Sequence, residues 1–188
     1  FIAEVCSNHN GSLKRALKFI DFAKKNKFYA VKFQLFKINK LYSSDAKKIY
    51  KIAKKKQIRE LPKNFIPKLF KYFKKKQIKF SCTPFDIESV KYLKKYVDFY
   101  KISSYEMSWP LMLKECAKTN KPVVLSTGMA NFKEVKRSVK ILKKFNCKKI
   151  ILLHCVSSYP ANVNMCNLNS INFLKKKFRY QVGWSDHT

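Results

Sequence analysis

Residues 30–35 read Ala30-Val31-Lys32-Phe33-Gln34-Leu35. Val31, Phe33 and Leu35 alternate with Lys32 and Gln34, the period of two that marks a β-strand. Six further apolar runs of strand length flank it, at Phe1–Cys6, Ile78–Cys82, Phe99–Ser103, Pro122–Ser126, Lys149–Cys155 and Tyr180–Ser185. Each has β-branched or aromatic content and turn residues nearby. The stretches between them have helical spacing: Leu13, Leu17, Ile20 and Ala23 fall on one face, as do Val135, Val139 and Leu142. Asp86, ahead of Val90 and Leu93, reads as an N-cap, with Glu88 in the first turn. Strand starts recur about every 20–30 residues except between the second and third, where the gap is 48. The extra length, Tyr42 to Lys63, is expected to be a long loop with a helix of its own. Strand–helix alternation at this interval implies parallel βαβ units. A doubly wound sheet, which usually has five or six strands, is the alternative, and no GxGxxG follows the first strand to support nucleotide binding. Seven strands point to an α/β fold of the (β/α)8 TIM-barrel type, truncated after the seventh strand.

With 188 residues, 46% of them hydrophobic, the chain has material for a sizeable core. Runs such as Ile150–Leu153 are far too short to span a bilayer, and no secretory leader pattern opens the chain. The start on Phe1-Ile2-Ala3 and the end at His187-Thr188 lead to the expectation that residues 1–188 are part of a longer protein. The net charge of +31 suggests nucleic acid at first sight. Yet Arg stands only at 15, 59, 137 and 179, so 38 of the 42 basic residues are lysines. Phosphate and base readout favours the planar guanidinium. The lysines also recur on expected solvent faces along the whole chain, as at Lys54-Lys55-Lys56 and Lys74-Lys75-Lys76. Compositional drift accounts for that distribution, and neither a nucleic-acid nor a membrane partner is expected. The six cysteines, at 6, 82, 116, 147, 155 and 166, form no CxxC pair. They are expected to be reduced and largely buried, as in a cytoplasmic protein.

A barrel builds its active site at the C-terminal ends of its strands. The polar residues in or just after each run are, in order, Glu4 with Asn8-His9-Asn10-Gly11; Lys32 and Gln34; Ser81, Thr83 and Asp86; Lys101, Ser103, Ser104 and Glu106; Ser126, Thr127 and Gly128; His154, Ser157, Ser158 and Tyr159; Ser185, Asp186 and His187. All three histidines of the chain are among them. The outer face of a barrel strand packs on helices, so Lys32 and Gln34 should point inward. A buried ammonium needs an anion, and Glu4 or an anionic ligand would supply it. Lys101, in Tyr100-Lys101-Ile102-Ser103-Ser104, repeats the pattern. Two interior lysines, one interior acid and clustered hydroxyls suit a bound phosphate and carboxylate. For His9 the plain alternative is a cap or loop bond, and for His154 a satisfied core histidine. Gly128 reads as a turn requirement that also lets amides approach an anion.

Taken together, these motifs resemble the sialic acid synthase family, which condenses phosphoenolpyruvate with an N-acetylated amino sugar. The matching stretches are Ile2-Ala3-Glu4 with Asn8-His9-Asn10-Gly11, Ala30-Val31-Lys32-Phe33-Gln34, Ser81-Cys82-Thr83-Pro84-Phe85-Asp86, Lys101-Ile102-Ser103-Ser104-Tyr105-Glu106, Leu125-Ser126-Thr127-Gly128-Met129-Ala130, Leu153-His154-Cys155-Val156-Ser157-Ser158-Tyr159-Pro160 and Gly183-Trp184-Ser185-Asp186-His187-Thr188. The resemblance implies a (β/α)8 barrel followed by a small antifreeze-like domain, a homodimer, and a divalent metal, typically Mn2+, with Mg2+ or Co2+ as alternatives. It implies that Lys32, Thr83, Lys101, Ser104, Ser126, Ser157 and Ser185 hold phosphoenolpyruvate. Glu4, Gln34, Glu106 and Tyr159 would face the sugar or order the site, with Glu4, Lys101 and Glu106 nearest the chemistry. His187 would be one of two metal-binding histidines. The chain departs from the pattern at Tyr105, where Gly is usual, and at Ser157, which is Asn in some members. The second metal histidine belongs to an eighth strand that lies outside this chain. N-acetylmannosamine is the expected acceptor, with a diacetamido-deoxy hexose, leading to legionaminic or pseudaminic acid, as the alternative. A non-catalytic polyanion binder and an inactive barrel remnant are the competing readings from other classes.

Overall fold

The computed structural model describes residues 1–43, 45 and 59–188. The expected insertion between Tyr42 and Lys63 falls for the most part outside them, as does Lys54-Lys55-Lys56. The described residues group into two compact units, Phe1–Asp98 and Phe99–Thr188.

In the first unit the order is β1 (Ile2–Cys6), α1 (Leu13–Lys25), β2 (Ala30–Leu35), a single turn at Ile38–Leu41, α2 (Phe65–Lys76), β3 (Lys79–Pro84) and α3 (Ile87–Leu93). The strands are parallel neighbours in chain order, with Lys32 in register with Glu4 and Ser81, and Gln34 with Thr83. Period two then decides which side each residue takes. Phe33 points to the helix layer, its ring edge-on to Phe73 of α2 and Phe80 of β3 at 6.3 and 6.2 Å between centroids, while Phe73 and Phe80 stack at 4.4 Å. Burying each such ring stabilises the fold by about 1.5–3 kcal/mol. Lys32 and Gln34 therefore take the opposite face.

Local chemistry sets the helix starts. Ser12 Oγ accepts the amide of Arg15 at 3.2 Å, and Asp86 Oδ1 accepts that of Ser89 at 2.6 Å, so the expected Asp86 cap is present. The buried stripe of α1 is Ala16, Ile20 and Ala23. The expected stripe was centred one residue away: Leu13 and Leu17 lie half-buried on its flank. Small Ala16 lets the helix approach the sheet there, which a pattern of large apolar residues does not reveal.

The second unit runs β4 (Phe99–Ile102), a 3-10 turn at Glu106–Ser108, α4 (Pro110–Ala117), β5 (Val123–Ser126), α5 (Phe132–Lys144), β6 (Ile150–His154), a 3-10 turn at Val163–Met165, α6 (Asn169–Phe178) and β7 (Gln181–Trp184). These strands are also parallel and adjacent in chain order. Tyr100, Ile102, Leu125 and Leu152 are wholly buried or nearly so. Val135, Val139 and Leu142 form the buried stripe of α5, as expected. Asn131 and Glu134 close a capping box at its start, with bonds of 3.1 and 2.8 Å.

All seven expected strands are present, with ends shifted by one or two residues, and each strand except β7 leads into a helix or helical turn. This is the alternation of a (β/α) barrel. Helix ends are unusual in one respect. Lys27, Gln77 and Arg179, which follow α1, α2 and α6, have φ of 59°, 52° and 56°. That left-handed region ordinarily falls to glycine at a helix end. All six cysteines are free, and Cys82, Cys116, Cys155 and Cys166 are buried. Burial pushes the Cys82 and Cys116 thiols up, out of reach of ionisation at neutral pH.

Candidate active site

In the first unit, β1 ends in a bulge: Glu4 is in register with Lys32, but Cys6, at φ 48°, is in register with Phe33. A bulge re-aims the side chains beside it. Lys32 Nζ donates to Glu4 Oε1 at 2.6 Å, with the lysine side chain 3% exposed and the glutamate 39%. The ammonium is thus sunk behind a carboxylate that reaches solvent. The Glu4–Lys32 pair offered by the sequence is present. One register step further along the same face, Gln34 is half-buried beside Thr83. Thr83 Oγ1 is buried with no hydrogen-bond partner, which is rare enough in native proteins to call for a ligand or water.

His9 is wholly buried. Its Nδ1 accepts the Gly11 amide at 3.0 Å, so the ring proton sits on Nε2, and that buried N–H has no partner. Burial holds the imidazole below its ordinary pKa. His9 therefore bonds its loop, while the helix cap is Ser12.

In the second unit Lys101 is buried and projects to the same strand face as Val124 and Ser126. The Oγ atoms of Ser126 and Ser157 are buried without partners. Gly128 lies beside them in a cradle. A Cβ there would collide with Ser157 Oγ and lie 2.9 Å from both Cys155 Sγ and Ser104 Oγ. Its amide donates to Ser104 Oγ at 3.1 Å, and that oxygen is 3.2 Å from Cys155 Sγ. Glu106 opens the 3-10 turn and accepts the Ser103 hydroxyl. Burial raises its carboxyl above the usual range, against the opposing pull of its own backbone amide and of Lys101.

Ser185 is buried at the end of β7, and His187 follows it. His187 Nδ1 donates to the Val156 carbonyl at 2.5 Å, which leaves Nε2 as the lone-pair nitrogen. Tyr159 lies tilted against that ring at 4.2 Å between centroids, its hydroxyl 3.2 Å from Nε2, and Ser185 Oγ is 3.4 Å from the same nitrogen. A backbone carbonyl behind the ring is the arrangement that orients a metal-binding imidazole. Among the described residues no three His, Cys, Asp or Glu side chains converge on one point. The residues present fit a metal through His187 alone, with its other ligands from water, substrate or further protein.

His154 is different. It belongs to the helix-side face of β6, and its Nε2 is 2.6 Å from the Cys166 carbonyl. It is a half-buried histidine whose ring nitrogen is satisfied by a backbone carbonyl. The structure thus brings together Glu4 with Lys32, Gln34 with Thr83, Lys101 with Glu106, and Tyr159 with Ser185 and His187. What the sequence missed is the crowding of Ser104, Cys155 and Ser157 around Gly128 and the anchoring carbonyl of Val156. Only the Ser126-Thr127-Gly128 run hinted at the former.

Residues 19–188 match the NeuB family. The N,N'-diacetyllegionaminic acid synthase of Campylobacter jejuni subsp. jejuni serotype O:2 is 40% identical over 202 aligned residues, which span all of this chain and 60% of that protein. The pseudaminic acid synthase of the same strain is 33% identical over 199, spanning all of this chain and 58% of that protein. The crystal structure of N-acetylneuraminic acid (sialic acid) synthetase from Leptospira borgpetersenii serovar Hardjo-bovis in complex with citrate superposes with a TM-score of 0.91 at 36% identity, over all of this chain and 64% of that one. The chain therefore spans about three fifths of the length of these relatives. Agreement over the whole chain with a barrel-type synthase disposes of the doubly wound alternative. Strand order, the polar residues at the strand ends and likeness along the full 188 residues all lead to one assignment: the chain belongs to the NeuB family.

Proposed function

We propose that the protein condenses phosphoenolpyruvate with an N-acetylated amino sugar, releasing phosphate and forming a nonulosonic acid. The observation that carries this reading is the group at the ends of β4–β6: a buried Lys101, partnerless buried hydroxyls on Ser126 and Ser157, and a glycine that leaves room among them. Such a set suits an anion with many acceptor oxygens. The first unit offers a like set in Lys32 and Thr83. Ser104 and Ser185 complete the residues assigned to phosphoenolpyruvate, and Gln34 and Tyr159 those assigned to the sugar.

In the reaction, C3 of phosphoenolpyruvate attacks the sugar aldehyde carbon, water adds at C2, and phosphate leaves by cleavage of the C–O bond. Lys32 and Lys101 offset the charge of the phosphate and carboxylate. Glu106, whose carboxyl burial raises above the usual range, is the group suited to moving a proton at the attacking water, with Glu4 helping to order the reactants. A divalent cation on His187, Mn2+ by preference, would polarise the aldehyde oxygen. The active species is expected to be a cytoplasmic homodimer. N-acetylmannosamine is the first choice of acceptor. The identity of 40% to a diacetyllegionaminic acid synthase makes the diacetamido hexose the second.

The test is phosphate release by the full-length protein from phosphoenolpyruvate and Mn2+ with each sugar in turn, and mass spectrometry of the product. Release that needs an amino sugar and yields a nine-carbon acid supports the reading. Absence of release with every N-acetylated sugar refutes it.

A further inference from the structure

His187 offers Nε2 to a cation, yet two hydroxyls already converge on that atom. Nδ1 donates to Val156, so Nε2 is an acceptor, and the Tyr159 hydroxyl at 3.2 Å is placed to donate to it. The tyrosine ring, tilted against the imidazole at 4.2 Å and 33°, sets that hydroxyl in position, and Ser185 Oγ adds a weaker contact at 3.4 Å. A lone pair that accepts a hydrogen bond cannot at the same time bind a metal. Tyr159 is 69% exposed and comes from the loop after β6.

We infer that Tyr159 is a positioning residue that caps His187 Nε2 before the cation arrives, and that cation binding releases its hydroxyl. This rests on the reading of His187 as a metal ligand. Tyr159 is assigned above to the amino sugar. Displacing it from His187 makes it available, so cation and sugar bind with positive coupling through one side chain.

The experiment uses the full-length protein without substrates and titrates Mn2+ alone, read by the electron paramagnetic resonance of the free ion. Tyr159→Phe keeps the ring and deletes the hydroxyl. It should bind Mn2+ about 2- to 13-fold more tightly, the equivalent of a net hydrogen bond of about 0.5–1.5 kcal/mol. His187→Ala should abolish the site. If Tyr159→Phe binds equally well, the cap does not exist; if it binds more weakly, the hydroxyl is itself a ligand, and the proposal is overturned either way while the metal reading stands. If wild type shows no Mn2+ binding that His187→Ala removes, the metal reading falls and takes the cap with it.

Discussion

Gly128→Ala tests the crowded turn after β5 directly. The added Cβ would overlap Ser157 Oγ and press on Cys155 Sγ and Ser104 Oγ at 2.9 Å, closer than real methyl carbons come to such atoms. All three are ends of short side chains that can swing about a single bond. The cost should be that of overpacking a tight site, about 1–3 kcal/mol, rather than loss of the fold. For a chain of this size that lowers Tm by roughly 2–12 °C. The relief route is specific. Ser157→Ala removes the closest atom, so the double variant should recover part of the lost stability, with a coupling of about 0.5–3 kcal/mol in a double-mutant cycle. The assay is thermal unfolding of full-length wild type, both single variants and the double, with the KM for phosphoenolpyruvate measured alongside. That KM should rise in Gly128→Ala, because Ser104 and Ser157 rotate away from their present positions. The reasoning fails if Gly128→Ala melts with wild type, or if Ser157→Ala restores none of the loss.

Lys32→Ala and Lys101→Ala should each raise the KM for phosphoenolpyruvate about 10–150-fold, the worth of a charge-assisted bond. Lys75→Ala on an exposed stretch should be near neutral, and like behaviour of all three would sink the buried-lysine argument. Glu106 has a raised pKa, so its carboxylate forms only as pH climbs past the usual glutamate range. The acid limb of kcat/KM should sit there and vanish in Glu106→Gln; a limb that persists assigns it elsewhere. His9 is held neutral by burial, so the unfolded chain takes up its proton first and stability should fall as pH drops below about 6.5. His9→Asn, which keeps an acceptor toward Gly11, should flatten that part of the pH–stability curve, and an unchanged slope would show that another group sets it.

The sequence made the barrel legible because its signals are local and repeated. Seven apolar runs, the alternation around Lys32 and Gln34, and the Asp86 cap each depend on neighbours a few residues away. The Glu4–Lys32 pair was readable for a related reason: adjacent parallel strands bring like positions into register. The cradle at Gly128 was not, since its walls come from Ser104, Cys155 and Ser157, one strand away on either side. Nor was the division of labour among the histidines. His154 ends β6 and His187 lies three residues past β7, and only the carbonyls they meet, Cys166 through Nε2 for one and Val156 through Nδ1 for the other, tell their settings apart. His9 reads as a polar loop residue and is in fact fully enclosed, because its single acceptor contact to Gly11 is made within the loop that buries it.

The left-handed residues at the helix ends have a bearing on how this protein can be altered. Only three glycines serve 188 residues, so lysine, glutamine and arginine occupy backbone positions shaped for glycine at 27, 77 and 179. Each carries a steric cost of about 1–2 kcal/mol, less the extra freedom a glycine would give the unfolded chain. Helix C-termini lead into the starts of strands, whereas the candidate chemistry gathers where strands finish. Robustness and reactivity are therefore written at opposite ends of each βαβ unit. An engineer seeking a hardier protein could work through Lys27, Gln77 and Arg179 without touching a candidate site residue.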